Sequence, residues 1–482
     1  MTASHRRILF AACAALCAAG TSASGADAAD PLDARFDRLV EAAREGLREH
    51  VVPGLAIGVV FEGRTFATGI GFTSVEHPQD VTADTIFQVG SITKTFTGTL
   101  LVGLAEQGRI DLDAPIRRHI PSFRVADEAV SAAATPRDLL SHQGGWAGDE
   151  FVDTGRGDDA LALAVAGLAS LEQIAPPRRV WSYDNAGFYV AGRLIEVLAG
   201  STYEAALRER LLEPLGLERC FIIPEDVMTH SFAAGHSDVQ GEAKVLRPWA
   251  VTRAAHPLAG LACSVTDLLR WARFHLGDGT AEDGSRILSQ PALVSMRVPV
   301  ATADGDEEMV GLTWHLSDHG GVRIASHGGT TLGQVASLTL VPQRGFALAV
   351  LTNSLGGRKL TQDLERRALS EYLGIEIADP QPLDPGPEVL REYVGLYRRP
   401  FADVELKLED GRLVGRMRIK QGFPAKDSPI PPNEPGFELR MYARDRFLHE
   451  DGSPVPRRAW FVRDDSGSIA WLRLLSRLHR KK

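Results

Sequence analysis

The chain has 482 residues, with 53 Lys and Arg against 62 Asp and Glu, a formal charge of -9 at pH 7, and 44% hydrophobic and 24% charged residues. Such a length has ample room for a core and sets two domains as the starting expectation. An acidic chain with no basic stripe apart from Arg477 to Lys482 is not built to hold nucleic acid, and so short a run reads as a solvated end.

His5, Arg6 and Arg7 precede the apolar run from Ile8 to Gly20, long enough for the h-region of a signal peptide and too short to span a bilayer comfortably. Ala26-Asp27-Ala28 then offers an A-x-A cleavage site. Residues 1–28 are therefore expected to be removed and the protein exported, periplasmic or secreted, with no stable membrane span after processing. No convincing lipobox precedes Cys13 or Cys17. Cys220 and Cys263 remain after such cleavage, and whether they pair is not readable from spacing.

Pro31 to His50 has Phe36, Leu39, Val40, Ala43 and Leu47 at helical spacing, which predicts an amphipathic helix packed on a sheet. Gly54 to Phe61 and Thr65 to Thr73, joined by Glu62-Gly63-Arg64, read as a hairpin. A helix is expected to begin at Ser91 and to end before Gly108. Thr135 reads as an N-cap with Pro136 at the first helical position. From there to about Val300 the pattern is mostly helical, with helices over Asp158 to Leu171, Asn185 to Ala199, Tyr203 to Leu212 and up to Leu276. Strands return at Val322 to Ser326, Gln334 to Val341 and Phe346 to Thr352, before a helix ending at Leu373. Strands at both ends of a helical middle predict an α+β domain, with one antiparallel sheet built from both termini and a helical region inserted, over residues 31–378. Residues 379–387, containing PQPLDPGP, form a proline-rich linker. Beyond it, Val404 to Glu409 and Arg412 to Ile419 flank Asp410-Gly411 as a hairpin, and further short β-like runs predict a small all-β, barrel-like domain over 388–482.

Three stretches carry chemistry. In FQVGSITK, Ser91 and Lys94 fall one turn apart on one helix face. A serine hydroxyl becomes a nucleophile when a neighbouring base takes its proton, and a lysine does so once desolvation lowers its pKa. Arginine cannot, and the chain has only eight lysines, with Lys94 and Lys244 the sole ones before Val350. On this motif alone, Ser91 as a helix cap with Lys94 snorkelling to solvent remains the alternative. Trp181-Ser182-Tyr183-Asp184-Asn185 places a phenol and an amide two residues apart at a helix start. The phenol serves as acid or base where an ammonium lowers its pKa, and the amide can bind a substrate amide or hold the lysine; a buried tyrosine beside a capping asparagine is the alternative. Ser326-His327-Gly328-Gly329-Thr330 lies at the end of a predicted strand, where two glycines let backbone lie close to a ligand and an N–H beyond them can face an oxyanion; a glycine-rich turn with an incidental histidine is the alternative on this motif alone.

Taken in order, S-x-x-K, Y-x-N and H-x-G resemble the active-site motifs of the serine penicillin-binding protein and class C β-lactamase superfamily. The resemblance extends through TPRDLLSHQGG and LAGLACSVTDLLRWARF and covers about residues 31–375. The remaining residues are more loosely similar to the β-barrel domains of D-aminopeptidase-like and esterase-like relatives. The resemblance implies that Ser91 is acylated and that Lys94 and Tyr183 share proton transfer. It implies that Asn185, His327, Gly329 and Thr330 contact substrate, and that the backbone N–H groups of Ser91 and Thr330 form the oxyanion hole. It implies no metal and no organic cofactor, and a partner that is a small molecule or peptide: an ester, a D-aminoacyl amide, a β-lactam or a peptidoglycan fragment.

One departure is informative. β-Lactamases and D-Ala-D-Ala carboxypeptidases of this superfamily usually have lysine where His327 stands. A histidine of ordinary pKa is mostly neutral at neutral pH, so the site is expected to favour carboxylates less, and an esterase or D-amino-acid peptide or amide hydrolase is expected over an efficient β-lactamase or a D-Ala-D-Ala carboxypeptidase. A penicillin-binding sensor that acylates without turnover is the rival from another class. Trp146, Trp181, Trp249 and His256 are further candidates for the cleft wall. There is no G-x-S-x-G, H-E-x-x-H or P-loop sequence.

Overall fold

The computed structural model describes residues 31–482 apart from 305–307, 423–427, 429, 431–435 and 452–456; the expected signal peptide lies outside the described residues. The chain opens with α1 (Pro31–Glu49), β1 (Gly54–Phe61) and β2 (Arg64–Gly71), and β3 (Phe87–Gln88) leads through a 3-10 turn at Gly90–Ile92 into α2 (Thr93–Glu106). The helical middle holds α3 (Glu128–Ala133), α4 (Pro136–Leu140), α5 (Ala160–Gly167), α6 (Ala186–Ala199) and α7 (Tyr203–Leu207). It continues with β4 (Cys220–Phe221), α8 (Pro224–Val227), the hairpin β5 (His236–Val239) and β6 (Glu242–Val245), α9 (His256–Ala259), β7 (Ala262–Cys263), α10 (Val265–Leu276) and α11 (Gln290–Ser295). Then come β8 (Ala301–Asp304), β9 (Glu308–Val310), β10 (His315–His319), β11 (Val322–Thr330), β12 (Val335–Val341), β13 (Phe346–Thr352) and α12 (Gly357–Leu373).

The eight-stranded sheet runs β2-β1-β13-β12-β11-β10-β9-β8, with every pairing antiparallel, so the strands nearest each end of this region meet at β1 and β13 as the sequence predicts. Period-2 alternation explains its two faces. Leu55, Ile57, Val59 and Phe61 of β1 join Phe36, Leu39 and Ala43 of α1 and Leu360, Leu364 and Leu369 of α12 in one cluster. Ala56 and Val60 face the other way, into the larger cluster that holds α2, α6 and α10. At its centre Phe96 and Trp271 stack with ring centroids 3.8 Å apart, and the indole N–H of Trp271 donates to Thr95.

After α13 (Pro387–Leu390), eight antiparallel strands close a barrel: β14 (Gly395–Arg398), β15 (Ala402–Glu409), β16 (Arg412–Ile419), β17 (Phe437–Ala443), β18 (Arg446–Glu450), β19 (Arg457–Arg463), β20 (Ile469–Leu474) and β21 (Arg477–Lys481). The basic run read as a solvated end is thus a strand, which pairs with β20 along its length and closes the barrel on β14 through Tyr397 and Arg398. Its charges hid the strand: Leu478 and His479 are buried side by side, whereas Arg480 and Lys481 reach backbone carbonyls at Ile174 and Glu392.

Other local expectations shift by a few residues. Thr135 caps α4 in a capping box with Asp138. The helix after Tyr203 passes at Arg208 into a π-helical turn ending at Leu212. The region read as a strand end at Ser326 continues as β11 through Thr330, because Gly328 and Gly329 pair with Ser337 and Ala336 of β12. Cys220 and Cys263 are bonded, joining β4 to β7. Among the described residues no helix is long and apolar enough to cross a membrane.

Trp271→Ala should remove about 3–5 kcal/mol of stability by opening a cavity between α2 and α10. Urea unfolding followed by far-UV circular dichroism checks this, with a shifted midpoint expected.

Candidate active site

Ser91 does not cap a helix. It sits inside the 3-10 turn, and the α-helix starts only at Thr93, with no side-chain cap at either boundary. The turn is held by Val89 N–H donating to Leu261 O (3.0 Å), and by the Thr93 hydroxyl, which donates to Gly90 O (2.6 Å) and accepts from Leu261 N–H (3.1 Å). The backbone of β11 presses against it. A Cβ on Gly329 would lie 1.9 Å from Val89 O, and one on Gly90, whose φ is +51°, would lie 2.8 Å from Thr330 N. Only glycines permit this approach, which carries the Thr330 N–H up to the Ser91 turn.

Lys94 is wholly buried, with Nζ 3.2 Å from Ser91 Oγ and donating to Leu258 O at 2.9 Å. Burial, then repulsion from Arg477, holds its pKa well below the ordinary lysine value, against the attraction of Asp184 and Asp149. Snorkelling is therefore not what this lysine does.

Tyr183 departs from expectation. Its phenol is pushed up to about 12 by burial, which outweighs the hydrogen bond with Ser91 and the Arg477 charge. The nearby ammonium does not lower it; the phenol stays neutral. The ring lies 4.4 Å from the stacked imidazole of His142 and 4.6 Å beneath the Arg477 guanidinium. Tyr183 N–H donates to Ser476 O (2.9 Å), and the Ser182 hydroxyl accepts from Leu478 N–H (3.2 Å). The tyrosine is thus fixed by the turn between β20 and β21, where Leu475 and Ser476 both take positive φ. Such φ values cost roughly 1–2 kcal/mol per residue for side chains of this kind.

The Asn185 amide donates to Asp149 (3.2 Å) and makes no hydrogen bond to Lys94, so it neither holds the lysine nor caps α6 with its side chain. Asp149 also pairs with Arg399 and with Arg477, both from the barrel, and these two cations hold its carboxyl well below the usual range. His327 donates Nδ1–H to Gly328 O (2.7 Å), leaving Nε2 buried and without a partner. Burial, then His315 and Lys94, depress its pKa well below that of a free imidazole, so it is neutral, as is His315 at about 4.

Ser91, Tyr183, Asn185, His327, Gly329 and Thr330 all line one cavity of about 2250 Å³ that extends along α12, residues 377–382 and the barrel wall. Trp181, Trp249 and His256 line it as well; Trp146 does not, being buried with its indole N–H on Asp184 (2.7 Å). Among the described residues no group of His, Cys, Asp or Glu is arranged to hold a metal ion. Sequence reading missed Asp149, Arg399, His315, Ser476 and Arg477. Nothing in the local pattern marks them: His315 is brought in by the pairing of β10 with β11, and the other four by how the barrel docks.

The geometry is that of a serine site served by a desolvated lysine, and the family comparison agrees. A family model described as Beta-lactamase matches residues 34–372, and the chain belongs to this family of serine β-lactamase and penicillin-binding-protein-like hydrolases. Among individual proteins it is similar to penicillin-binding protein 4 of Amycolatopsis lactamdurans, 37% identical over 352 residues that span 70% of this chain and 92% of that one. It is also similar to the unguisins hydrolase ungD of Aspergillus violaceofuscus, 25% identical over 80% of this chain and 78% of that one. The solved structure of SurE matches 94% of this chain and 100% of its own, at 27% identity and a TM-score of 0.72.

Gly329→Ala should force β11 off the Ser91 turn and lower kcat by roughly 10²–10³, the effect of losing one oxyanion donor. Steady-state hydrolysis of a p-nitrophenyl ester, with near-UV circular dichroism to establish folding, checks it.

Proposed function

We propose that the protein is an exported serine hydrolase that works through an acyl-enzyme on Ser91, and that its substrates are esters or D-amino-acid peptides and amides rather than β-lactams. The observation that carries this reading is Lys94, fully buried 3.2 Å from Ser91 Oγ with its pKa lowered. An amine kept neutral there takes the Ser91 proton as Oγ attacks the substrate carbonyl carbon. The oxyanion is received by the N–H groups of Ser91 and Thr330, each worth on the order of 3 kcal/mol to the transition state. Tyr183, a neutral phenol hydrogen-bonded with Ser91, passes a proton to the leaving group and regains it from the lysine. Water then attacks the acyl carbon, its proton goes to the amine, and Ser91 Oγ departs with a proton restored.

The substrate preference is supported by His327, a neutral imidazole where a permanent cation would favour β-lactam carboxylates. A D-amino-acid preference is supported by SurE, whose structure has also been solved with D-Leu and resembles this chain at 26% identity and a TM-score of 0.70. Export is supported by the disulfide between Cys220 and Cys263, a bond that persists in oxidising compartments.

Mass spectrometry after brief incubation with a p-nitrophenyl ester, D-alanine amide, penicillin G and nitrocefin tests the reading, with Ser91→Ala as control. An adduct that forms on Ser91 and clears with ester or amide product is expected. An adduct that only accumulates with β-lactams would favour a sensor, and no adduct from any compound would overturn acylation at Ser91.

The pH dependence follows from the direction of the shifts. Because the folded pKa of Lys94 is depressed, the neutral base is present above that pKa and is lost as pH falls through it. Ester kcat/KM should therefore show an acid limb as Lys94 takes up its proton, a plateau above that limb, and no loss from Tyr183 until the phenol ionises near pH 12. Lys94→Arg should abolish turnover at every pH, since a guanidinium stays protonated.

A further inference from the structure

We propose that Asp184, between Tyr183 and Asn185, is a positioning residue for acylation. It fastens the loop that carries both side chains, and its charge acts on the Lys94 amine; the proposal rests on that amine being the base toward Ser91. Asp184 is buried, and its carboxyl oxygens have separate donors: Oδ2 accepts from the Trp146 indole N–H (2.7 Å) and Oδ1 from Gly187 N–H (3.0 Å). Its backbone N–H donates to His142 Nδ1 (3.0 Å). The space is shaped to the group, since a Cβ on Gly187 would lie 2.6 Å from Oδ2 and one on Gly148 2.9 Å from Oδ1. Gly148 O in turn accepts from the N–H groups of Asn185 (3.0 Å) and Ala186 (2.9 Å). The loop is thereby tied both to the first turn of α6 and to the segment that follows α4.

Capping α6 does not explain an acid at this position. Asparagine or serine accepts from a helix N–H as well as aspartate does, and neither takes a charge out of water. Among the described residues no cation forms an ion pair with Asp184, whereas Asp149 is met by Arg399 and Arg477. The charged and titratable groups that face Asp184 are Lys94 of α2, Arg477 of β21, Asp149, His142 and the neighbouring Tyr183 phenol. Burial pushes its carboxyl up to about 7, against the Gly187 and Trp146 hydrogen bonds and the Lys94 charge, and Asp149 adds to the rise. The influence is reciprocal: burial and Arg477 drive the Lys94 amine toward neutrality, and Asp184 is the first group to oppose them. A base works best with its pKa near the working pH, so a lysine this dry gains from a counterweight.

With only eight lysines in the chain, Lys94 can be followed without turnover. NMR titration of protein grown with lysine labelled at Cε, with Lys94→Arg to assign the signal, should give Lys94 a lower midpoint in Asp184→Asn than in the native chain. Ester kcat/KM should follow, its acid limb moving to lower pH and its plateau falling by roughly tenfold, part of the ~10²–10⁴ that a positioned base supplies. A residue that only caps α6 would change the urea midpoint and leave both titrations in place; that result, or a Lys94 midpoint that rises, overturns the proposal. Trp146→Phe covers the case in which Asp184→Asn does not fold. It keeps the carboxyl and removes a donor that favours its charged form, so both titrations should move the same way by less, and an unmoved Lys94 there is equally fatal. Ester turnover reports separately on acylation: a Lys94 midpoint that responds to Asp184 without turnover would uphold the pairing and sink the acyl-enzyme, and turnover with an unresponsive lysine the reverse.

Discussion

An ammonium group taken wholly out of water is the constraint around which this chain is arranged. Lys94 has two polar neighbours within hydrogen-bond reach, the Ser91 hydroxyl and the Leu258 carbonyl, and no carboxylate among its hydrogen-bond or ion-pair partners. A buried cation without a hydrogen-bonded counterion is costly, and that cost pulls the lysine pKa down, against the attraction of Asp184 and Asp149. Everything that makes the lysine dry therefore makes it basic in the useful sense: the packed face of α2, Phe188 of α6 and the Tyr183 ring above it, and the segment around Leu258 that β7 holds against β3.

The barrel takes part in this balance and is more than an appendage. Arg477 reaches from β21 to Asp149 and over Tyr183, and after burial it is the largest influence lowering the pKa of Lys94. The same guanidinium opposes the rise in the Tyr183 pKa. One side chain of the second domain thus acts to lower the pKa of both Lys94 and Tyr183 in the first. Asp149 keeps two buried arginines together in a region that would otherwise repel them.

Much of this was legible in the chain and some was not, for physical reasons. The hairpin at Glu62-Gly63-Arg64, the cap at Thr135, the stop at Gly108 and the sheet built from both ends are local or periodic signals, and the structure repeats them. Ser91, Lys94, Tyr183, Asn185, His327 and Thr330 were singled out by three short motifs and the family resemblance those motifs carry, and the structure brings Ser91, Tyr183, Asn185, His327 and Thr330 to one cavity with Lys94 buried beside Ser91. The direction of the Tyr183 shift was not legible, since it depends on whether burial or a neighbouring charge wins. Arg477 was hidden for another reason. A run of cations looks solvated until the carboxylate and carbonyls that receive it are known, and those lie at Asp149, Gln173 and Ile174, far away in sequence.

That distance has a consequence for how the protein is made. Arg477 and Asp149 are 328 residues apart, which at about 5–20 residues per second is tens of seconds of synthesis. Through that interval Tyr183 lacks the carbonyl that fixes its backbone, Asp149 lacks both cations, and Lys94 lacks the charge that helps strip its proton. The emerging polypeptide therefore carries the Ser91 turn and its buried lysine long before the last strand completes their surroundings, and the contacts around Tyr183 and Asp149 close only as synthesis ends.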